Sequence, residues 1–193
     1  MLINGMKFKK MFRVKNTVKV KDVMPQEKIN NLRQLYIGIG SNLDNPVSQV
    51  SLAIKKLSKL DIHHTMKVSD FYESPPMGPS NQNNYINAAV MFKCGESPED
   101  ILLLMKGIES SMGRNKGAVR WSERIIDLDI IMYGDMTYKS NILSIPHINA
   151  YERAFVLLPV MDISPDIYIP TQGYAKDLIR ECLYSDIKKI NKK

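Results

Sequence analysis

Residues 125–132 read Ile-Ile-Asp-Leu-Asp-Ile-Ile-Met, an apolar run broken by two aspartates spaced two apart. In a strand, side chains two apart point to the same face. Asp127 and Asp129 therefore aim one way, and Ile126, Leu128 and Ile130 the other. Like charges at that separation repel, and partial burial penalises each of them. A positive partner must offset this. Magnesium suits the role, because it is a hard cation that takes one or two carboxylates and fills its shell with phosphate and water oxygens. Taken alone, the Asp-x-Asp pattern also reads as an edge strand with two solvated acids.

Upstream segments supply the rest of a sheet. Leu35 to Gly40 is a short apolar run stopped by Gly40-Ser41-Asn42, a buried strand and a turn. Pro46 opens a helix with Val47, Val50, Ala53, Ile54 and Leu57 at helical spacing. Val68 to Tyr72 reads as a second strand and Tyr85 to Phe92 as a third, separated by a segment rich in proline and glycine. Ser97-Pro98-Glu99-Asp100 is a helix start, with a serine cap, proline at the first position and acids at the positive end; that helix stops at Gly113. With the aspartate-bearing strand, the order is β-α-β-β-α-β. This is an α+β plan of ferredoxin-like type, an antiparallel sheet with two helices on one face. C-terminal additions follow: a turn around Ile145-Pro146-His147, an apolar segment from Phe155 to Ile163, and a helix expected over Tyr174 to Tyr184.

A length of 193 residues fits one ordinary domain with a short excess. The excess is an N-terminal arm. Residues 1–35 carry nine of the 27 Lys and Arg side chains and only two of the 20 acids, so the whole net charge of +7 resides there. The remainder is neutral, which argues against a general polyanion-binding surface and against nucleic acid as a partner. Residues 1–34 read as a basic, poorly ordered extension and 35–193 as the domain. The scarcity of acids also allows a targeting presequence, although lysine outnumbers arginine and serine is missing. No apolar run is long enough to span a membrane. Cys94 and Cys182 form no Cys-x-x-Cys pair, so a zinc site is not expected and the thiols suit a reducing cytoplasm.

The residues around the acids sharpen the chemistry. Arg114, Lys116, Arg120 and Arg124 crowd into eleven positions just before them. Carboxylates that hold a metal beside guanidinium groups that clamp oxyanions form a phosphoryl-transfer layout; a solvated basic turn is the plainer alternative. Gly113 and Gly117 give the loop hinges, and Trp121 either anchors it or covers an aromatic ligand. A second constellation joins Ser74, Pro75 and Met77 to Tyr85 and Asn87. An aromatic plate and an amide on one strand face suit a flat nitrogen heterocycle, though each residue also has an ordinary packing role. Gly38-x-Gly40 lacks the further residues of a dinucleotide or P-loop motif, and His63-His64 lacks partners at ligand spacing.

Taken together the motifs resemble the 6-hydroxymethyl-7,8-dihydropterin pyrophosphokinase family. The matching segments are Tyr36 to Leu43, Phe71 to Pro79, Asn84 to Ala89, Ile108-Glu-x-x-x-Gly-Arg114, Arg120-Trp121 with Arg124-x-x-Asp-Leu-Asp-Ile130, Ile145-Pro-His147, and Arg153-Ala-Phe155 through Pro159. The resemblance spans about residues 35–185. It implies a ferredoxin-like enzyme that transfers pyrophosphate from ATP to the pterin hydroxymethyl group and releases AMP. It further implies that Asp127 and Asp129 hold two magnesium ions. Arg114, Arg124, His147 and Arg153 would contact nucleotide phosphates or the transferred group, with Lys116, Arg120 and Glu109 also on the ATP side. Tyr85 and Phe155 would sandwich the pterin, Asn87 and the backbone from Ser74 to Met77 would read its edge, and Trp121 would close a lid. ATP and a dihydropterin would be the partners of a monomer.

Three positions depart from the family pattern. Lys116 stands where a second loop arginine is common, Ser122-Glu123 where Gly-Pro commonly precedes Arg124, and Ile148 where tyrosine or arginine often follows Pro146-His147. Two rival functions remain at this point: a catalytically silent ferredoxin-like ligand-binding module, and a nucleic-acid-binding protein suggested by a basic isoelectric point.

Overall fold

Residue 33 is where the chain enters its central sheet. The computed structural model describes residues 32–60, 66–77, 81–114, 122–182 and 186–190. In chain order these form β1 (Arg33–Ser41), α1 (Pro46–Ser58), β2 (Lys67–Val68), β3 (Phe71–Ser74), β4 (Tyr85–Cys94), α2 (Pro98–Ser111) and β5 (Asp127–Tyr133). Then come β6 (Tyr138–Lys139), β7 (Ser144–Ile145), a 3-10 turn (Ala150–Glu152), α3 (Ala154–Ile163), β8 (Tyr168–Ile169), β9 (Gly173–Tyr174), α4 (Ala175–Leu178) and β10 (Lys188–Ile190). The main sheet runs β10-β3-β4-β1-β5, with β2 paired to β4, and every pairing in it is antiparallel.

Both helix starts follow their sequence signals. Asn45, in a left-handed conformation at φ 60°, accepts the Ser48 N–H before Pro46 opens α1. Ser97 accepts the Asp100 N–H at 3.2 Å ahead of Pro98, with Glu99 and Asp100 in the first turn. These caps satisfy donors that a helix end otherwise leaves unpaired.

The sheet is covered on both faces. On one, Val50, Ala53 and Leu57 of α1 and Ile101, Met105 and Ile108 of α2 pack on Leu35, Ile37, Ile39, Val90, Ile126, Leu128 and Ile130. On the other, Leu157 and Val160 of α3, with Ala175 and Ile179, pack on Tyr36, Ala89, Met91, Ile131 and Met132. Each fully buried Leu or Ile in such a layer contributes about 1.5–3 kcal/mol. Ile131 and Met132, although adjacent, share the second face because the β1–β5 register shifts between Tyr36 and Ile37. A bulge of this kind sets two residues against one.

The expected second strand is broken into β2 and β3. Ser69 causes the break. Its hydroxyl takes the Ala89 N–H at 2.8 Å, and its own N–H reaches the Ala89 carbonyl at 2.9 Å. A side chain thus replaces a ladder bond and the register slips. The helix expected over Tyr174 to Tyr184 is corrected to α4, only four residues long. After Leu178 the bonds tighten from i+4 to i+3, as in Arg180 N–H to Asp177 and Cys182 N–H to Ile179 carbonyls. Strand β10, against β3, carried no strong signal, since two of its three residues are lysines. His63-His64 and residues 1–31 lie outside the described residues. Among the described residues no helix is long and apolar enough to cross a membrane.

Candidate active site

Three neighbouring strands present one floor. In register, Asp129 stands opposite Gly38 and Asp127 opposite Gly40. Gly40 in turn stands opposite Asn87 of β4. The glycines leave room above the sheet: a Cβ at Gly40 would rise between Asn87 Oδ1 and the Tyr85 ring, 3.7 and 3.9 Å away. A glycine inside a strand marks such a close approach. Over this floor lies a cleft of 340 Å³. Ser74, Pro75, Met77, Tyr85, Asn87, Arg124, Asp127, Asp129, His147, Arg153 and Phe155 all line it. Eleven sequence-predicted residues, drawn from five separate segments, thus meet in one place. Its size suits a small aromatic ligand.

The acidic end is asymmetric. Arg114 Nη1 donates to Asp127 Oδ1 at 2.5 Å, and Arg124 Nη1 donates to Asp127 Oδ2. Arg114 also reaches Glu109, which is 2% exposed and takes the Leu128 N–H at 2.8 Å and Lys106 at 2.9 Å. Burial pushes the Glu109 carboxyl upward, against these three donors. Burial also acts on Asp127, but Arg124 and Arg114 outweigh it and hold that carboxyl below the usual range. The Asp129 side chain makes no hydrogen bond or ion pair among the described residues. Burial and then the Asp127 charge raise its carboxyl. The positive partner that the strand pattern demands is therefore guanidinium at Asp127, and is still lacking at Asp129. A hard-oxygen pair with one unpartnered carboxylate, open to a cleft, fits a magnesium ion whose other ligands come from phosphate and water.

Loop geometry fixes the other groups. Asn42, fully buried, accepts the Arg124 N–H at 2.8 Å with its side chain and donates its own N–H to the Arg124 carbonyl at 3.1 Å. Arg124 is thereby aimed at Asp127. The bulge residue Ile131 accepts the His147 N–H at 3.0 Å, and His147 Nδ1 accepts the Asn149 N–H at 3.3 Å. That leaves the ring proton on Nε2. Arg153 lies 6.0 Å from the Phe155 ring centre at the start of α3. Asn87 donates to the Tyr72 carbonyl and the Ser74 hydroxyl, at 3.2 and 2.9 Å. Its amide nitrogen is thus spent within the protein, and its oxygen faces the cleft above Gly40.

The 7,8-dihydro-6-hydroxymethylpterin-pyrophosphokinase (HPPK) family model matches residues 36–165. The chain belongs to this family. A 2-amino-4-hydroxy-6-hydroxymethyldihydropteridine pyrophosphokinase of Haemophilus influenzae is 36% identical over 156 residues, covering 81% of this chain and 97% of that protein. Its counterpart in Pseudomonas aeruginosa is 31% identical over 159 residues, covering 82% and 98%. Among solved structures, wild-type HPPK-DHPS of Plasmodium falciparum, crystallised with pteroate, matches with a TM-score of 0.60 at 14% identity. That likeness covers 78% of this chain and 44% of the other, so the chain spans less than half of that protein, and the likeness speaks to the fold alone.

Within the HPPK frame, Arg114 and Glu109 sit beside Asp127, outside the cleft lining. Lys116, Arg120 and Trp121 lie outside the described residues. The sequence reading passed over Asn42, Ser122 and Asn149 as site residues, and it gave Gly38 and Gly40 no part in the site beyond rejecting a nucleotide motif and counting them in a family-like segment. Two glycines at period two inside an apolar strand were the available signal. Ile148, the third departure from the family pattern, also lines the cleft.

Proposed function

We propose that the protein transfers pyrophosphate from ATP to 6-hydroxymethyl-7,8-dihydropterin, releasing AMP, in folate synthesis. The observation that carries this is the meeting of Asp127 and Asp129 with Tyr85, Asn87 and Phe155 in one cleft. No observation favours a catalytically silent module. The sheet order β3-β4-β1-β5, with α1 and α2 on one face, supports a ferredoxin-like βαββαβ core extended at its C-terminus.

Tyr85 and Phe155 take the flat ring between them, and Asn87 Oδ1 accepts from a ring N–H at its edge, beside the backbone of Ser74 to Met77. Arg124 and Arg114 exchange Asp127 for phosphate oxygens when the nucleotide enters, which keeps their forks paired. Arg153 and His147 Nε2–H, which line the same cleft, donate to the same phosphates. Two magnesium ions, held by Asp127 and Asp129, would neutralise the developing charge on the phosphate oxygens. The pterin hydroxymethyl oxygen attacks the β-phosphorus. The bond from that phosphorus to the α–β bridging oxygen breaks, AMP leaves, and the hydroxyl proton passes to solvent. Lys116 and Arg120 would add contacts on the ATP side, and Trp121 would close a lid over the pterin.

We assign catalysis to residues 35–193 in a monomeric cytoplasmic protein that does not bind nucleic acid, with the basic arm 1–34 dispensable. AMP formation from ATP and magnesium, measured with and without the dihydropterin, tests the reaction. Pterin-dependent AMP is the expected result. ADP formation, or AMP release indifferent to the pterin, overturns the assignment.

A further inference from the structure

We propose that the hydroxyl of Ser122 is a specificity-determining contact, forming a hydrogen bond to the ring substrate stacked on Tyr85. This rests on the function proposed above. Among the described residues, Ser122 Oγ is the one buried side-chain polar atom with no hydrogen-bond partner. Buried hydroxyls in folded proteins are nearly always paired, and an unpaired one calls for an explanation. This one belongs to a residue that lines the cleft.

Its neighbours hold it in place. The Ser122 carbonyl accepts the Tyr85 hydroxyl at 3.4 Å, which ties the residue to the rim of the aromatic plate. Two residues on, the Arg124 backbone is clamped on both sides by Asn42. The backbone from the Ser122 carbonyl to Arg124 is thus tethered, while a serine side chain has three staggered χ1 positions. Rotation about χ1 turns Oγ from the protein toward the cleft, where a ring edge lying on Tyr85 supplies the missing partner. A hydroxyl both donates and accepts, so it complements either kind of ring-edge group. Arg124 and Asp127, which line the same cleft as Ser122, already pair with each other. Neither competes for the hydroxyl. Asn87 offers the cleft an acceptor, and the Ser122 hydroxyl can add a donor beside it.

The test compares Ser122→Ala with the full-length wild-type protein. Calorimetry gives the affinity for the dihydropterin in the presence of magnesium and a non-hydrolysable ATP analogue, and separately the affinity for that nucleotide alone. A thermal melt is taken without ligands. The expected result is a roughly 5–10-fold loss of pterin affinity, as for one neutral hydrogen bond. Nucleotide affinity is unchanged, and the melting temperature is unchanged or slightly higher, because no native bond is lost. Wild-type pterin affinity in the variant overturns the proposal. So does a loss confined to the nucleotide, or a fall in melting temperature, which would make the hydroxyl structural. Failure of the reaction assignment would show separately, as wild-type protein that binds no pterin.

Discussion

Asp127 and Asp129 stand two residues apart on one face of β5 in opposite electrostatic states. Asp127 holds the guanidinium groups of Arg114 and Arg124, and Asp129 holds none among the described residues. Their substitutions should therefore separate stability from turnover.

Asp127→Asn should lower the melting temperature by about 5–10 °C. Removing one partner of a buried pair costs about 3–5 kcal/mol, and the 20% exposure of this side chain places the loss at about 2–3. Asp129→Asn should leave the melting temperature equal or higher, because it deletes a partly buried charge with no ion-pair partner among the described residues. Both variants should lose pterin-dependent AMP release at least about 100-fold. Thermal melts and the AMP assay decide; equal melting losses would contradict the asymmetry.

The same contrast sets opposite pH dependences. Asp129 has a raised folded value, so its unfolded form loses its proton first, near about 3.9. As pH climbs from there through the folded value, the contribution of Asp129 to stability is lost. Asp127 has a lowered folded value, so its contribution is present above the unfolded value and is lost as pH falls through the folded one. In urea titrations, the advantage of Asp129→Asn over wild type should grow across the acid window and then level off. A difference that stays constant with pH would rule this out.

Glu109 should matter far more than its exposed partner. Glu109→Gln leaves an acceptor for the Leu128 N–H but strips the charge facing Arg114, and should cost about 2–3 kcal/mol. Lys106 is half exposed, so Lys106→Met should change stability by under about 1 kcal/mol. Chemical denaturation of the two variants tests the ranking.

Gly40→Ala should bind the dihydropterin at least about tenfold more weakly with the fold intact. The added Cβ meets its neighbours at ordinary contact distance, 3.7 Å or more, yet occupies the floor between Tyr85 and Asn87. Stability should hold or rise by about 0.5 kcal/mol from the stiffer unfolded chain. Unchanged affinity would show that the ring lies elsewhere in the cleft.

Much of this was legible in the sequence because it rests on local rules. Period two placed Asp127 and Asp129 together, and Ser97-Pro98 and Pro46 marked the helix starts. What stayed hidden depends on partners remote in the chain. Ser69 splits a strand by bonding Ala89, and Ile131 bulges against β1 to hold His147. Asn42 aims Arg124 from 82 positions away. None of these pairs leaves a trace in the spacing of apolar residues, and the short β10 has too little pattern to show.

Strand β5 is the last in its sheet, and the outer rim of such a strand invites a second chain to add itself. Here the Leu128 N–H is taken by Glu109 and the Ile131 carbonyl by the His147 N–H. Two positions along that rim are thereby closed to intermolecular pairing. The contacts that aim a histidine and anchor an arginine also guard the protein against self-association, so loosening either should raise its tendency to aggregate before it unfolds.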